Sequence, residues 1–194
     1  LTGHSHWVLS VTVFSEGRLL ASGGADGTVR VWDLETDEAL HVFEQPDWAR
    51  SVAVSPAGQL LAAGGGDGGI RVWDLKDAEP VYALAGHSGP TLSVAMSFDG
   101  RFLFSGGADG KVKVWNLRTG EPLGILPGHP EGASSVAAGS DGQLIASGGR
   151  DHEVKVWRKV SDFSKEDPDD FALPRSGSSG QPHPAPDRPP DLPE

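Results

Sequence analysis

Short runs of alternating apolar and polar residues, separated by Gly- and Asp-rich turns, recur along the first 160 residues. In the first of them, the segments at 11–13 and 29–32 consist of β-branched and aromatic residues with a polar residue between. Such composition and a period of two are typical of half-buried strands. The pattern predicts strands at 8–14, 18–24, 28–33 and 39–43, and no helical period occurs inside these runs.

The same four-strand unit returns three more times. Trp32, Trp73, Trp115 and Trp157 are 41, 42 and 42 residues apart and end the similar phrases VRVW, IRVW, VKVW and VKVW. A constant 28 residues separates these tryptophans from His4, Gln45, His87 and His129, respectively. The first three strands of unit one therefore shift by 41, 83 and 125 residues into the later units. Hairpin turns are predicted at Glu16-Gly17, Ala57-Gly58, Asp99-Gly100 and Asp141-Gly142.

Four short antiparallel strands in about 40 residues is the layout of a propeller blade. The chain resembles the WD-repeat family over residues 1–158, through its Gly-His pairs (Gly3-His4, Gly86-His87, Gly128-His129) and Trp-Asp pairs (Trp32-Asp33, Trp73-Asp74). The resemblance implies an all-β fold of four visible four-stranded antiparallel blades. The last blade is expected to lack its outer strand, and the blades to form part of a larger ring. The repeats are placed at about 3–43, 44–84, 85–126 and 127–158 within a propeller region of 1–160.

A Ser–His–Asp set in several units raises the question of catalysis. The set recurs from unit to unit, whereas a catalytic site is needed only once per molecule. In the family these residues form a buried relay in which Trp donates to Ser, Ser to His and His to Asp. The resemblance therefore implies a structural role, and no catalytic residue, for His4, Ser22, Asp26, Trp32, Asp67, Trp73, His87, Ser105, Asp109, Trp115, His129, Ser147, Asp151 and Trp157.

Unit two departs from this pattern. Gln45 stands in place of the His and Ala63 in place of the Ser, while Asp67 and Trp73 remain. Both central members of the relay are missing together, as expected if the hydroxyl has no use without the imidazole. We predict that blade two depends mainly on apolar packing and is locally the weakest blade.

The resemblance also implies where a partner would bind. In the family the contact positions lie three and five residues after the His and directly before the turn Asp. In units one and two these are Trp7, Leu9, Ala25, Trp48, Arg50 and Gly66, and in units three and four Pro90, Leu92, Ala108, Gly132, Ser134 and Arg150. Trp7, Leu9, Trp48, Arg50, Leu92 and Arg150 are the predicted contacts. Trp and Arg are enriched in binding hot spots, but a Trp at a strand entry also packs against a neighbouring blade.

Composition narrows the partner class. The net charge is −11 and the chain has no cysteine. An acidic chain without a basic cluster is a poor ligand for nucleic acid or for an anionic membrane, and thiolate zinc sites are excluded. The Gly-rich runs at 23–27 and 106–110 lack the following helix of a phosphate loop, so tight turns explain them. We expect protein or peptide partners, no nucleic acid, membrane or small-molecule substrate, no cofactor or metal, and an intracellular location.

Residues 161–194 have a different composition, with eight prolines and eight acidic against three basic residues. We predict a disordered, acidic, Pro-rich tail. Because the fourth unit lacks a good outer strand, we interpret the units as the C-terminal blades of a longer protein; a four-bladed curl, an open arc or a dimer sharing one ring are the alternatives. The predicted function is a non-enzymatic protein-interaction scaffold. The alternative is a regulatory or targeting module of an enzyme, such as a kinase or NTPase, encoded upstream.

Overall fold

A computed structural model of the chain describes residues 1–140, 144–159 and 171–172. These residues form four antiparallel sheets, each built from strands that are consecutive in sequence. Blade one contains β1 (Val8–Phe14), β2 (Leu19–Gly24), β3 (Thr28–Asp33) and β4 (Ala39–Glu44); blade two contains β5 (Ala49–Val54), β6 (Leu60–Gly65), β7 (Ile70–Asp74) and β8 (Pro80–Leu84). Blade three contains β9 (Thr91–Met96), β10 (Phe102–Gly107), β11 (Val112–Asn116) and β12 (Pro122–Leu126); blade four contains β13 (Ala133–Ala138), β14 (Leu144–Gly149), β15 (Val154–Lys159) and β16 (Phe171–Ala172).

The predicted all-β architecture of four blades is confirmed. Three full strands form blade four, and its outer position holds only the two residues of β16, which pair with Arg158 and Lys159. Apart from β16, the predicted disordered tail at 161–194 lies outside the described residues, as does the turn predicted at Asp141-Gly142. No helix long and apolar enough to span a membrane is present in the described part of the chain.

The hairpins between the first and second strands of blades one to three each contain a glycine in the left-handed region, Gly17, Gly58 and Gly100. Blade one needs two further left-handed residues, Ser15 and Glu16, at φ of 50° and 56°. The difference follows from one residue. In blade two the hydroxyl of Ser55 accepts the backbone N–H of Leu60 at 3.0 Å and so closes the turn. Blade one has Phe14 at the position of Ser55 and cannot form this bond.

Apolar residues from adjacent blades form the core. Val29 and Val31 of blade one pack with Val52 and Leu61 of blade two, and corresponding clusters join blade two to three and three to four. A hydrogen bond recurs at each junction, where a serine hydroxyl on one inner strand accepts a backbone N–H of the next inner strand at 3.1 Å. The pairs are Ser10 with Val52, Ser51 with Val94 and Ser93 with Val136. Each blade thus depends on its neighbour for burial of its face.

Candidate functional site: the blade relays and the top face

Blade one assembles the four predicted relay residues from two strands, the turn between them and the N-terminal loop. The indole N–H of Trp32 donates to the hydroxyl of Ser22 at 2.8 Å, and that hydroxyl donates to Nε2 of His4 at 2.7 Å. Nδ1 of His4 lies 3.0 Å from the Asp26 carboxylate. Asp26 also accepts the backbone N–H groups of Ser5 and Thr28, so the relay fastens both loops at this end of the blade.

Blade three repeats the arrangement. Trp115 donates to Ser105 at 3.0 Å, Ser105 donates to His87 at 2.8 Å, and His87 donates to Asp109 at 2.8 Å. With the proton of His87 on Nδ1 and none on Nε2, every donor in the relay has an acceptor. A second proton on His87 would remove the acceptor that the Ser105 hydroxyl uses.

Blade four completes only part of the relay. Ser147 donates to His129 at 2.7 Å and His129 donates to Asp151 at 2.8 Å. The indole N–H of Trp157 is buried and has no hydrogen-bond partner among the described residues, so the predicted link from Trp157 to Ser147 is absent. A buried unpaired donor costs roughly 1–3 kcal/mol, which makes this blade's relay weaker than those of blades one and three.

The ionisation of the relay follows from its burial and bonds. Burial disfavours the charged imidazole and lowers the pKa of His87, although the hydrogen bond and charge of Asp109 act in the opposite direction. Burial alone would raise the pKa of Asp26, but the N–H of Ser5 and the hydroxyl and N–H of Thr28, with His4, lower it well below its usual range. The pKa of Asp109 is lowered in the same way. In blade three a neutral imidazole therefore lies beside an ionised carboxylate.

The second glycine of each Gly-Gly pair has a role beyond the turn. A Cβ at Gly107 would lie 2.3 Å from Nδ1 of His87, and one at Gly149 would lie 2.2 Å from the same atom of His129. Turn geometry alone, which the sequence favours for the glycines at 23–27 and 106–110, is therefore an incomplete explanation. At Gly107 and Gly149 the imidazole ring occupies the space that a side chain would need.

Blade two replaces the relay with a bridge that its sequence motifs did not predict. The guanidinium of Arg71 donates to Oε1 of Gln45 at 3.1 Å and to the Asp67 carboxylate at 3.2 Å. Trp73 of this blade stacks on Phe43 of blade one. Arg71 thus adds a polar connection from the entry loop to Asp67 in the turn, and the main reliance of blade two on apolar packing stays a prediction.

The position of Arg71 is basic in every unit, two residues before the Trp, and this repetition could have revealed its role. Lys113 donates to the carbonyl of Gly86, directly before the relay His87. Lys155 donates to the carbonyl of Gly128 at 2.5 Å. In blades three and four the basic residue thus fastens the loop that carries the His, while in blade two it also substitutes for the missing imidazole.

The predicted partner contacts lie in the loops and at the starts of the first strands at one end of the blades, which we call the top face. In each blade it comprises the residues three and five positions after the relay His (after Gln45 in blade two) and the residue directly before the relay Asp. The backbone N–H of Ala25 donates to the carbonyl of Trp7 at 2.8 Å, and that of Gly66 donates to the carbonyl of Trp48 at 2.9 Å. Equivalent bonds join Ala108 to Pro90 and Arg150 to Gly132. The two tryptophans therefore occupy equivalent positions on adjacent blades.

Their exposure is high. Trp7 is 68% exposed and Trp48 is 40% exposed, and the guanidinium of Arg50 lies 5.1 Å from the ring centroid of Trp48. Nε of Arg50 is buried without a hydrogen-bond partner in the described residues. Leu9 and Arg150 are exposed and Leu92 is half-buried. Aromatic side chains occur on the top face only at blades one and two.

A family model described as "WD domain, G-beta repeat" matches residues 1–33, 37–74, 78–116 and 120–158. The chain belongs to the WD-repeat family. Two similar solved structures are described as "Structure of U3-55K", with a TM-score of 0.77, and "Crystal structure of RRP9 WD40 repeats", with a TM-score of 0.76. Each is 25% identical to this chain and covers 81% of it, while the match takes in 50% and 49% of those chains. The WD-repeat chain thus spans about half the length of the structures it matches.

The Ser–His–Asp sets of this WD-repeat chain have hydrogen-bond distances of the kind seen in hydrolases, but their surroundings differ. Ser22, Ser105 and Ser147 are buried, and the first two already accept an indole N–H. A hydroxyl in that position has no open side from which a substrate carbonyl could approach. No group of three or more metal-ligating side chains is found in the parts of the chain that the structure describes.

Proposed function

We propose that this WD-repeat chain is a non-catalytic interaction platform that binds a protein or peptide through Trp7, Leu9, Trp48 and Arg50. A WD-repeat propeller is an architecture typical of such scaffolds. The observation that carries the proposal is the exposure of two tryptophans at equivalent positions on adjacent blades. A large exposed aromatic surface costs solvation free energy, and on a rigid frame it marks an interaction site.

The supporting geometry shows how the site is held ready. The carbonyl of each tryptophan is bonded to the neighbouring top loop, so both backbones are fixed before a partner arrives. Ser10 of blade one accepts the N–H of Val52 in blade two, which sets the spacing between the two blades. A preorganised site loses less conformational entropy on binding.

Arg50 adds a polar anchor to the apolar surface. Its guanidinium lies near the Trp48 ring, where a cation–π contact orients it, and its terminal N–H groups are donors for an incoming carbonyl or carboxylate. The ligand class that fits is an extended peptide or loop with an apolar side chain for the tryptophans and an acceptor for Arg50. The exclusion of nucleic acid and an intracellular place of action remain our predictions.

The test is affinity purification with the chain as bait. The double variant Trp7→Ala/Trp48→Ala should lose the captured partners, while Phe98→Ala should retain them. Phe98 is a matched control because it is 63% exposed and lies in the hairpin between β9 and β10, away from the top loops. Capture of the same partners by the double variant and by wild type would contradict the proposal.

A further inference from the structure

The end of the blades opposite the top face has its own loops, which we call the bottom face. In blades one to three it comprises the hairpin between the first two strands and the turn between the last two, at 15–18, 33–38, 55–60, 74–79, 97–101 and 116–121. In each of these blades a backbone N–H of the turn donates to a backbone carbonyl of the hairpin at 2.8 or 2.9 Å. The pairs are Leu34 with Arg18, Leu75 with Gln59 and Leu117 with Arg101.

At the junction of blades one and two, an aromatic ring fills the bottom face. Phe14 is half-buried and packs against the core that joins these two blades. A Cβ on Gly58, in the hairpin of blade two, would lie 3.7 Å from Cδ2 of Phe14 and 3.2 Å from Oγ of Ser15. The two hairpins are therefore in contact and leave no space between them.

The junction of blades two and three lacks this filling. Ser55 stands at the position of Phe14, and its hydroxyl turns into its own hairpin, where it accepts the backbone N–H of Leu60. Gly100 stands at the position of Gly58, and no described heavy atom lies within 4 Å of a Cβ built on it. A groove of about 250 Å³ is therefore open between these two hairpins.

An exposed aromatic ring borders the groove. Pro56 and Leu60 belong to the blade-two side of its lining, and Phe98 and Asp99 belong to the blade-three side. Phe98 is 63% exposed, nearly as much as Trp7 on the top face. The Asp99 carboxylate places a negative charge next to this apolar surface. An exposed aromatic beside a groove marks an interaction site, because burial of both removes apolar area from water.

The charge of the bottom face restricts what can bind in the groove. The six segments of this face contain ten acidic and four basic residues, so more than half of the net charge of −11 lies here. The C-terminal segment 161–194 has the same sign of charge, with eight acidic and three basic residues, and is a poor occupant. A basic ligand is attracted to the bottom face by complementarity of charge.

We propose that the groove between Pro56 and Phe98 binds a basic segment of a partner protein. The segment inserts an apolar side chain between the two hairpins and places a Lys or Arg beside Asp99. A cationic side chain also fits over the exposed face of the Phe98 ring. The inference does not rest on the proposed function, since the groove and the tryptophans of the top face lie at opposite ends of the blades.

The first test is binding of the full 194-residue chain to an array of short synthetic peptides that vary independently in net charge and in apolar content. We expect the retained peptides to be basic and to contain Leu, Ile, Met or Phe, and replacement of that apolar residue by Ser should abolish binding. Acidic peptides, peptides without an apolar residue, or no peptide at all on the array would overturn the proposal.

The second test measures the dissociation constant of the tightest array peptide by fluorescence anisotropy. Phe98→Ala should weaken binding by about tenfold or more, and it leaves no cavity because the ring is exposed. Asp99→Asn should weaken it by roughly two- to fivefold, because the amide keeps the acceptor oxygen for Ser97 and Arg101 but not the charge.

Ser55→Phe is the complementary variant, because it fills the groove while Phe98 remains. Phe14 shows that a blade accommodates phenylalanine at this position, and circular dichroism checks the fold. Ser55→Phe should abolish binding, whereas Trp7→Ala/Trp48→Ala should bind as wild type does. A peptide that Phe98→Ala and Ser55→Phe bind as tightly as wild type would overturn the proposal, since only general attraction to an acidic surface would remain.

The two sites can also be separated in the affinity purification described above. A partner of the groove should be captured by Trp7→Ala/Trp48→Ala and lost from Phe98→Ala, which is the reverse of the result for a partner of the top face. Failure of one proposal therefore leaves the other intact.

Discussion

The ring of Phe43, on the outer strand of blade one, stacks on the indole of Trp73 in blade two, with centroids 5.0 Å apart and planes at 29°. At the next junctions the residues equivalent to Phe43 are Leu84 and Leu126, which belong to the clusters around Trp115 and Trp157. The larger ring thus occurs only where the following blade lacks the relay serine, at Ala63. A buried aromatic pair stabilises the blade that has no complete relay.

Replacing Phe43 with the leucine found at the other junctions should therefore lower the stability of the protein. Phe43→Leu removes the stacking and leaves unfilled volume, and we expect a loss of about 1–2 kcal/mol in the free energy of unfolding. Urea denaturation monitored by tryptophan fluorescence measures it. Leu40→Ala, at an exposed position on the same strand, is the control and should change stability by no more than about 0.5 kcal/mol. Unchanged stability in Phe43→Leu would show that the stacking contributes nothing.

The turn aspartates should differ in importance between blades. The Asp109 side chain is 8% exposed and accepts from His87, Ser88 and Lys111, whereas the Asp67 side chain is 31% exposed and bonds Arg71 and Gly69. Asp109→Ala leaves a buried imidazole without its acceptor and should cost about 2–3 kcal/mol. Asp67→Ala should cost about 1 kcal/mol or less. Equal shifts of the two melting temperatures would argue against the structural role of the relay.

Blade two retains the space for a relay that it does not have. Gly65 is still present, and a Cβ there would meet Asp67 as the equivalent glycines meet their aspartates. Gln45→His alone lacks the hydroxyl partner, and Ala63→Ser alone buries a hydroxyl whose proton has no imidazole acceptor, so each should be neutral or destabilising. The double variant should be more stable than the sum of the two single changes in unfolding free energy predicts, with a coupling of about 1–2 kcal/mol. A double-mutant cycle by urea denaturation measures the coupling, and additive effects would mean that Arg71 excludes the imidazole.

Stability should fall as the pH drops through the titration of His87. Its pKa is lowered from the ordinary 6.5 by burial, so the unfolded chain binds the proton more readily than the folded one. The stabilisation from the neutral imidazole is therefore complete above about pH 6.5 and decreases below it. The lowered pKa of Asp26 and of Asp109 adds a second loss at more acidic pH, below their ordinary 3.8.

Unfolding free energies at pH 7.5, 6.5 and 5.5 test the effect of His87, and the readout is the difference between wild type and His87→Gln. The variant should be less stable at pH 7.5, and the gap should narrow toward pH 5.5, because only the wild type loses the neutral imidazole. A gap that stays constant over this range would mean that His87 titrates alike in the folded and unfolded chains.

The order of the strands and, to within a residue or so, their bounds were predictable from the sequence, whereas the two-residue β16 was not. Hairpin registers depend on neighbouring residues and on turns such as Ala57-Gly58, so the information is local and repeats every 41 or 42 residues. The residues of the relay were equally visible, because four of the same types recur at constant spacing in three units. Repetition drew attention to these residues, and the resemblance to the WD-repeat family implied how they bond to one another.

Other features required the tertiary structure, because they depend on contacts between distant or inequivalent positions. Three features are each specific to one blade or junction, so the pattern shared by the repeats does not predict them. They are the bridge from Arg71 to Gln45, the unpaired indole of Trp157 and the stacking of Phe43 on Trp73. The exposure of Val11 and Val154 depends on which blade stands beside them, and their own sequence motifs are the same as those of their buried equivalents. The sequence by itself determined the blade; the packing of one blade on the next decided which residues are buried and which faces remain open.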